Sequence, residues 1–138
     1  MLDAACGRGY LLGRITEVNP LVQCCGVDIA PPNRGGNYAF NIQAADITDL
    51  PFADNSFDIV LCTHALEHIR KPKKALDELM RVAKQRLIIV VPRQREYRYT
   101  VDLHVNFFPY MYSFKRFIGI ANAKYLYLKG DFLCCIDF

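Results

Sequence analysis

The sequence lacks several features that would each have announced a class of protein. No apolar run approaches the roughly 20 residues needed to span a bilayer, which excludes a membrane-crossing helix on sequence grounds. No C-x-x-C pair is present, so the paired thiolate ligands of a structural zinc site are missing. There is no Gly-Lys-Ser/Thr phosphate loop, which argues against a nucleoside triphosphate as ligand. Internal repeats, linkers and low-complexity segments are also absent. Charge of one sign does not dominate: 17 Lys and Arg against 14 Asp and Glu leave a net +3, too mild to point to nucleic acid. With no leader ahead of the first strand, a cytoplasmic location is expected.

What remains is the composition of an ordinary globule, 52% hydrophobic and 22% charged over 138 residues. That length suits one domain spanning residues 1–138. Six cysteines are many for this size, but Cys24-Cys25 and Cys134-Cys135 are adjacent pairs, and Cys6 and Cys62 lie in apolar contexts. Neighbouring cysteines rarely bond to one another, so we expect reduced thiols acting as small hydrophobes.

Strand and helix patterns alternate along the first two-thirds. An apolar start runs into Asp3, a tight Ala-Cys-Gly-Arg-Gly turn and a helix from Tyr10. The run Val22 to Val27, ending at Asp28, suits a buried parallel strand, and Pro31 to Gly36 is breaker-rich loop. Tyr38 to Ala44 forms a third strand and Phe57 to Thr63 a fourth. Lys73 to Ala83 carries an apolar stripe at helical spacing, with Leu76, Leu79 and Met80 as core, and Arg86 to Val91 forms a fifth strand. A short helix is expected at Ser113 to Ala121. Residues 124–128 and 132–136 then flank Lys129-Gly-Asp131 as a hairpin. The expected fold is therefore α/β: a Rossmann-like, mostly parallel sheet closed by a C-terminal antiparallel hairpin, with short connections.

In an open α/β sheet, ligands bind across the carboxyl ends of the strands. Three aspartates stand at three successive strand ends: Asp3, Asp28 and Asp46. Asp28 lies 21 residues beyond Gly7, near the offset of about 20 expected for an acid that accepts hydrogen bonds from a ribose diol. Asp46 is placed to accept from an exocyclic amine, and Ile47 to cover an adenine face. Each aspartate alone has a plainer explanation as a helix cap or turn former; the ordered set of three favours a ligand site. The glycine turn reads A-C-G-R-G-Y-L-L-G rather than the dinucleotide fingerprint. The acid leading into it would repel a pyrophosphate and suit a ligand bearing a cationic amino group.

Leu2-Asp-Ala-Ala-Cys-Gly-Arg-Gly9 resembles the first motif of class I S-adenosylmethionine-dependent methyltransferases, and Gly26-Val-Asp28 resembles their second. The stretch from Ala45 through Asp54-Asn-Ser-Phe-Asp-Ile-Val-Leu-Cys-Thr63 to His68 is similar to the region around their fourth strand, so the likeness covers roughly residues 2 to 92. The resemblance implies S-adenosylmethionine as cofactor. Asp3, Ala5, Gly7 and Gly9 would surround its methionine part, Asp28 the ribose, Asp46 and Ile47 the adenine, and Thr63 would lie beside the sulfonium. Ala5 stands where the family has glycine, and its methyl is tolerated if φ there is negative. The helices that precede the first strand in the family are absent, implying an N-terminally truncated version. The sheet edge left open by their absence predicts self-association.

Methyl transfer demands no fixed catalytic side chain, and none is assigned. His64, just after the fourth strand, is a candidate general base, and His104 a weaker one. His64-Ala-Leu-Glu-His68 also fits an H-x-x-E-H zinc pattern, but His64 follows a strand too closely to be in helical phase, so no metal is expected. Arg93, Arg95 and Arg98 alternate with tyrosines in a way that would grip phosphate, which keeps RNA as an alternative acceptor. The charge balance gives RNA little support, and a small-molecule acceptor is preferred. The competing expectation is a non-catalytic, methyltransferase-like module that binds cofactor or protein.

Overall fold

The computed structural model describes residues 1–31, 40–96 and 103–138. Seven strands form one sheet in the order β3-β2-β1-β4-β5-β7-β6. These are β1 (Leu2–Ala4), β2 (Cys24–Asp28), β3 (Phe40–Ala44), β4 (Phe57–Thr63), β5 (Ala83–Pro92), β6 (Lys124–Leu128) and β7 (Asp131–Asp137). The first five run parallel, and β7 pairs antiparallel with both β5 and β6. Strand order reverses between β1 and β4, and such a switch opens a crevice at the carboxyl ends of the strands.

Helix α1 (Tyr10–Val18) starts at Gly9, and among its described residues only Leu12 is fully buried. Helix α2 (Pro72–Val82) opens on Pro72, whose fixed φ suits a first helical turn. It buries Ala75, Leu76, Leu79 and Val82 against the sheet, while Met80 is half-buried beside that core. The opposing core comes from Val60, Cys62, Leu87, Ile89 and Val91 in the central strands, then Phe132, Cys134 and Ile136 in β7. Helix α3 (Met111–Ile118) inserts Phe114 and Ile118 into the same core.

Boundaries differ from expectation where backbone geometry, rather than side-chain pattern, sets them. Strand β5 begins at Ala83 with no intervening loop, because a register shift between Phe57 and Ile59 admits an extra β5 residue before Arg86 pairs. Helix α3 stops at Ile118 instead of continuing to Ala121, since Gly119 adopts a left-handed φ of 73° and its N–H caps Lys115 O at 2.9 Å. Strand β3 is described only from Phe40. Of the loop expected from Pro31 to Gly36, everything after Pro31 falls outside the described residues, as does the strand start at Tyr38. Between β3 and β4 the described chain makes turns and no helix, as the short spacing predicted. All six cysteines are free thiols. Among the described residues no helix is long and apolar enough to cross a membrane.

Candidate functional site

The glycine turn leaves β1 through three left-handed residues, Ala5 (φ 62°), Gly7 (φ 53°) and Gly9 (φ 69°). Ala5 therefore does not meet the condition of negative φ: its methyl sits in a conformation that costs an L-residue roughly 1–2 kcal/mol. The turn is held by Cys6 N–H donating to Val27 O (2.9 Å) and Gly9 N–H donating to Cys6 O (2.8 Å). A Cβ on Gly9 would come within 2.8 Å of the Ile42 side chain and 2.9 Å of the Phe40 ring, so close approach to β3 as well as φ disfavours a side chain.

Asp3 lies beneath this turn, 1% exposed, paired in the sheet with Gly26 on β2 and Leu61 on β4. Its Oδ1 is buried and has no hydrogen-bond partner among the described residues. Desolvation, reinforced by the neighbouring Asp28, raises its carboxyl pKa from 3.8 to about 7. The same burial, with the Asp3 and Asp28 charges, pushes the Cys6 thiol up to about 12, so Cys6 stays protonated. Asp28, at the end of β2, reaches across to the turn. Its Oδ2 accepts from Gly7 N–H at 2.8 Å and its Oδ1 from Ala30 N–H at 3.0 Å. Each carboxylate oxygen keeps a lone pair for a ligand hydroxyl.

Asp46 is exposed beyond β3, and its Oδ1 accepts from Thr48 N–H at 2.8 Å, the turn-forming role that aspartate often takes. Ile47 is 4% exposed within the core, so it offers a ligand little surface. Thr63 ends β4, half-buried and paired with Val90. The fold thus brings Asp3, the glycine turn, Asp28, Asp46, Ile47 and Thr63 to one edge of the sheet, around its topological switch. A groove of about 630 Å³ lies at the opposite edge, against Met1, Gln23, Ser56 and Asp58 at the amino ends of the strands, away from these residues.

One residue beyond Thr63, His64 also takes a left-handed φ of 51°, a region His enters more readily than most residues. Its side chain is 51% exposed and lies between two carboxylates, with Nδ1 3.7 Å from Glu67 Oε1 and Nε2 3.4 Å from Asp131 Oδ2. A 3-10 turn at Leu66–His68 follows, carrying Glu67, which is 1% exposed and whose Oε2 has no partner among the described residues. Burial raises the Glu67 carboxyl pKa, against its own backbone hydrogen bond and three nearby histidines, which lower it. Neither Glu67 nor Asp131 stands out in the sequence. H-x-x-E-H names the first, but its burial depends on the segment around Asn106 folding over it.

Of the basic residues proposed to grip phosphate, Arg93 stacks on Tyr127 with its guanidinium 5.8 Å from the ring centroid, and Arg95 lies 6.0 Å from the Tyr110 ring. Arg98, with Tyr97 and Tyr99, falls outside the described residues.

Comparison with known proteins decides the family. Residues 2–91 match the family described as "Methyltransferase domain". The chain belongs to this family. Its members are S-adenosylmethionine-dependent methyltransferases, which implies S-adenosylmethionine as cofactor. Ajmaline N-methyltransferase of Rauvolfia serpentina is 29% identical over 101 residues, covering 66% of this chain and 34% of that protein. Demethylmenaquinone methyltransferase of Paenarthrobacter aurescens (strain TC1) is 36% identical over 93 residues, covering 64% of this chain and 37% of that protein. The methyltransferase-family chain thus spans about a third of the length of these relatives. A SAM dependent methyltransferase from Aquifex aeolicus superposes with a TM-score of 0.70 at 19% identity, over 97% of this chain and 79% of that one, and shares the fold.

Proposed function

We propose that this methyltransferase-family chain binds S-adenosylmethionine at the carboxyl edge of β1 to β4 and transfers its methyl group to a small-molecule acceptor. The observation that carries the reading is Asp3, a buried carboxylate with an oxygen that no group among the described residues satisfies. Such a group is costly unless a cation joins it, and the cofactor's ammonium group is a cation of the right kind. Asp3, Ala5, Gly7 and Gly9 would hold the methionine part, and Asp28 the ribose diol. Asp46 and Ile47 would border the adenine, and Thr63 the sulfonium. When bound, the cofactor supplies a methyl group on a good leaving group. The chain's own contribution is alignment and exclusion of water. His64, exposed and flanked by Glu67 and Asp131, is the side chain offered to hold the acceptor's proton.

The small-molecule acceptor is favoured by the names of the relatives above, an alkaloid N-methyltransferase and a quinone methyltransferase. Incubation with methyl-labelled cofactor and a panel of small amines, phenols and quinols tests the proposal. Label transferred to one class of acceptor supports it. Tight cofactor binding with no transfer to any class, or to RNA alone, overturns the small-molecule reading.

A further inference from the structure

The 3-10 turn after β4 and the segment that folds over it bring Glu67, which flanks His64, together with two histidines that the methyl-transfer reading does not use. One ligand atom from each of Glu67, His68 and His104 lies within 4.8 Å of the others. The two imidazoles meet edge to face, with centroids 4.5 Å apart at 70°. Each ring has its Nδ1 against an oxygen. His68 Nδ1 is 3.4 Å from Leu103 O, and His104 Nδ1 contacts Gln94 Oε1. Acceptors at both Nδ1 atoms place the protons there and leave both Nε2 lone pairs free, which is how outer partners prepare metal-binding histidines. Glu67 is held rigidly: its carbonyl accepts from Val105 N–H (2.7 Å) and Asn106 N–H (3.0 Å), and Asn106 Nδ2 donates to Leu66 O and Ile69 O. Its Oε2 nevertheless has no partner among the described residues, although its side chain is 1% exposed. A buried carboxylate oxygen left bare beside two imidazoles is a site short of one cation.

We propose that Glu67, His68 and His104 bind a borderline divalent cation of the Zn²⁺ type through one carboxylate oxygen and two imidazole nitrogens. Two nitrogens and one oxygen suit Zn²⁺ or Co²⁺, whereas Mg²⁺ and Ca²⁺ favour all-oxygen shells. Ligand atoms bound tetrahedrally at about 2.0–2.2 Å sit about 3.3 Å apart, so the site closes through small swings of His68, which is exposed, and His104, which is half-buried. Three protein ligands leave a fourth position open to water or substrate. This is not the peptidase pattern: His64 is outside the turn, and the third ligand comes from 36 residues further along the chain than His68. The inference does not depend on the cofactor assignment.

Titration of the chelator-treated full chain with Zn²⁺ by calorimetry, repeated with Co²⁺ in the visible spectrum, tests it. One equivalent is expected to bind, with a Co²⁺ spectrum free of thiolate charge transfer. His68→Ala and His104→Ala are each expected to weaken binding by roughly tenfold or more. Both variants are checked for native circular dichroism, and Glu67→Gln, nearly isosteric, provides a third that keeps the buried volume. No stoichiometric binding by the folded chain overturns the proposal. So does binding that survives both histidine variants, or a thiolate band, since either would place the ion on cysteines.

Discussion

Replacing Asp3 by asparagine should favour the folded state increasingly, relative to the parent, as pH rises from about 5 to about 7. In the unfolded chain the carboxyl titrates near 3.8; in the native state burial and Asp28 raise it to about 7. Between those values the native state binds the proton that the unfolded state has released, so stability falls as pH climbs through the window and levels off above about 7. At a slope of up to about 1.4 kcal/mol per pH unit, flattening near the native pKa, the native state loses about 2–2.5 kcal/mol from this one group between pH ~5 and pH ~7. Asparagine cannot ionise. The stability difference between Asp3→Asn and the parent should therefore shift in the variant's favour by about 2–2.5 kcal/mol over that interval. Any fixed penalty from the buried amide is constant with pH and cancels in the comparison, as do groups such as Glu67 that both proteins share. Urea denaturation at about pH 5 and about pH 8 measures it through the midpoint at constant slope. A difference that stays the same at both pH values, within about 0.5 kcal/mol, would refute the claim that Asp3 is a strained, unpaired carboxylate.

Three further outcomes follow from the geometry. Ala5→Gly should stabilise the chain by about 0.5–1 kcal/mol, the left-handed penalty less the backbone entropy of glycine, and a fall in the urea midpoint would contradict the strained turn. Asp28→Ala should weaken S-adenosylhomocysteine binding by about 1.5–3 kcal/mol, the scale of hydrogen bonds to a charged group; unchanged affinity in a calorimetric titration would remove Asp28 from the ribose. Leu79→Ala, fully buried on α2, should cost about 2–5 kcal/mol in chemical denaturation, and a loss below 1 kcal/mol would mean that α2 does not seal the core.

The parallel sheet was legible because its strands carry nearly continuous apolar runs, and β4 lies where its pattern places it, at Phe57–Thr63. The glycine turn was legible in position but not in conformation. Nothing in the residue type tells that Ala5 takes positive φ; it is the residue at which the chain leaves β1, just before Cys6 N–H bonds to Val27 O of the neighbouring strand. The start of β5 was hidden because a register shift is a property of two paired strands, not of either alone. The grouping of Glu67, His68 and His104 was the least legible. Local phase argued, correctly, that His64 does not continue a helix with His68. The partner that matters arrives with the segment pinned by Asn106, a long-range contact that no local spacing encodes.

The central claim is that the turn above Asp3 and the carboxylate of Asp28 form a nucleoside-binding site. Calorimetric titration of the folded chain with S-adenosylmethionine and S-adenosylhomocysteine tests it most directly. One-to-one binding of both, weakened in Asp3→Asn and in Asp28→Ala, is the predicted result. No heat from either ligand with a chain that melts cooperatively would contradict it.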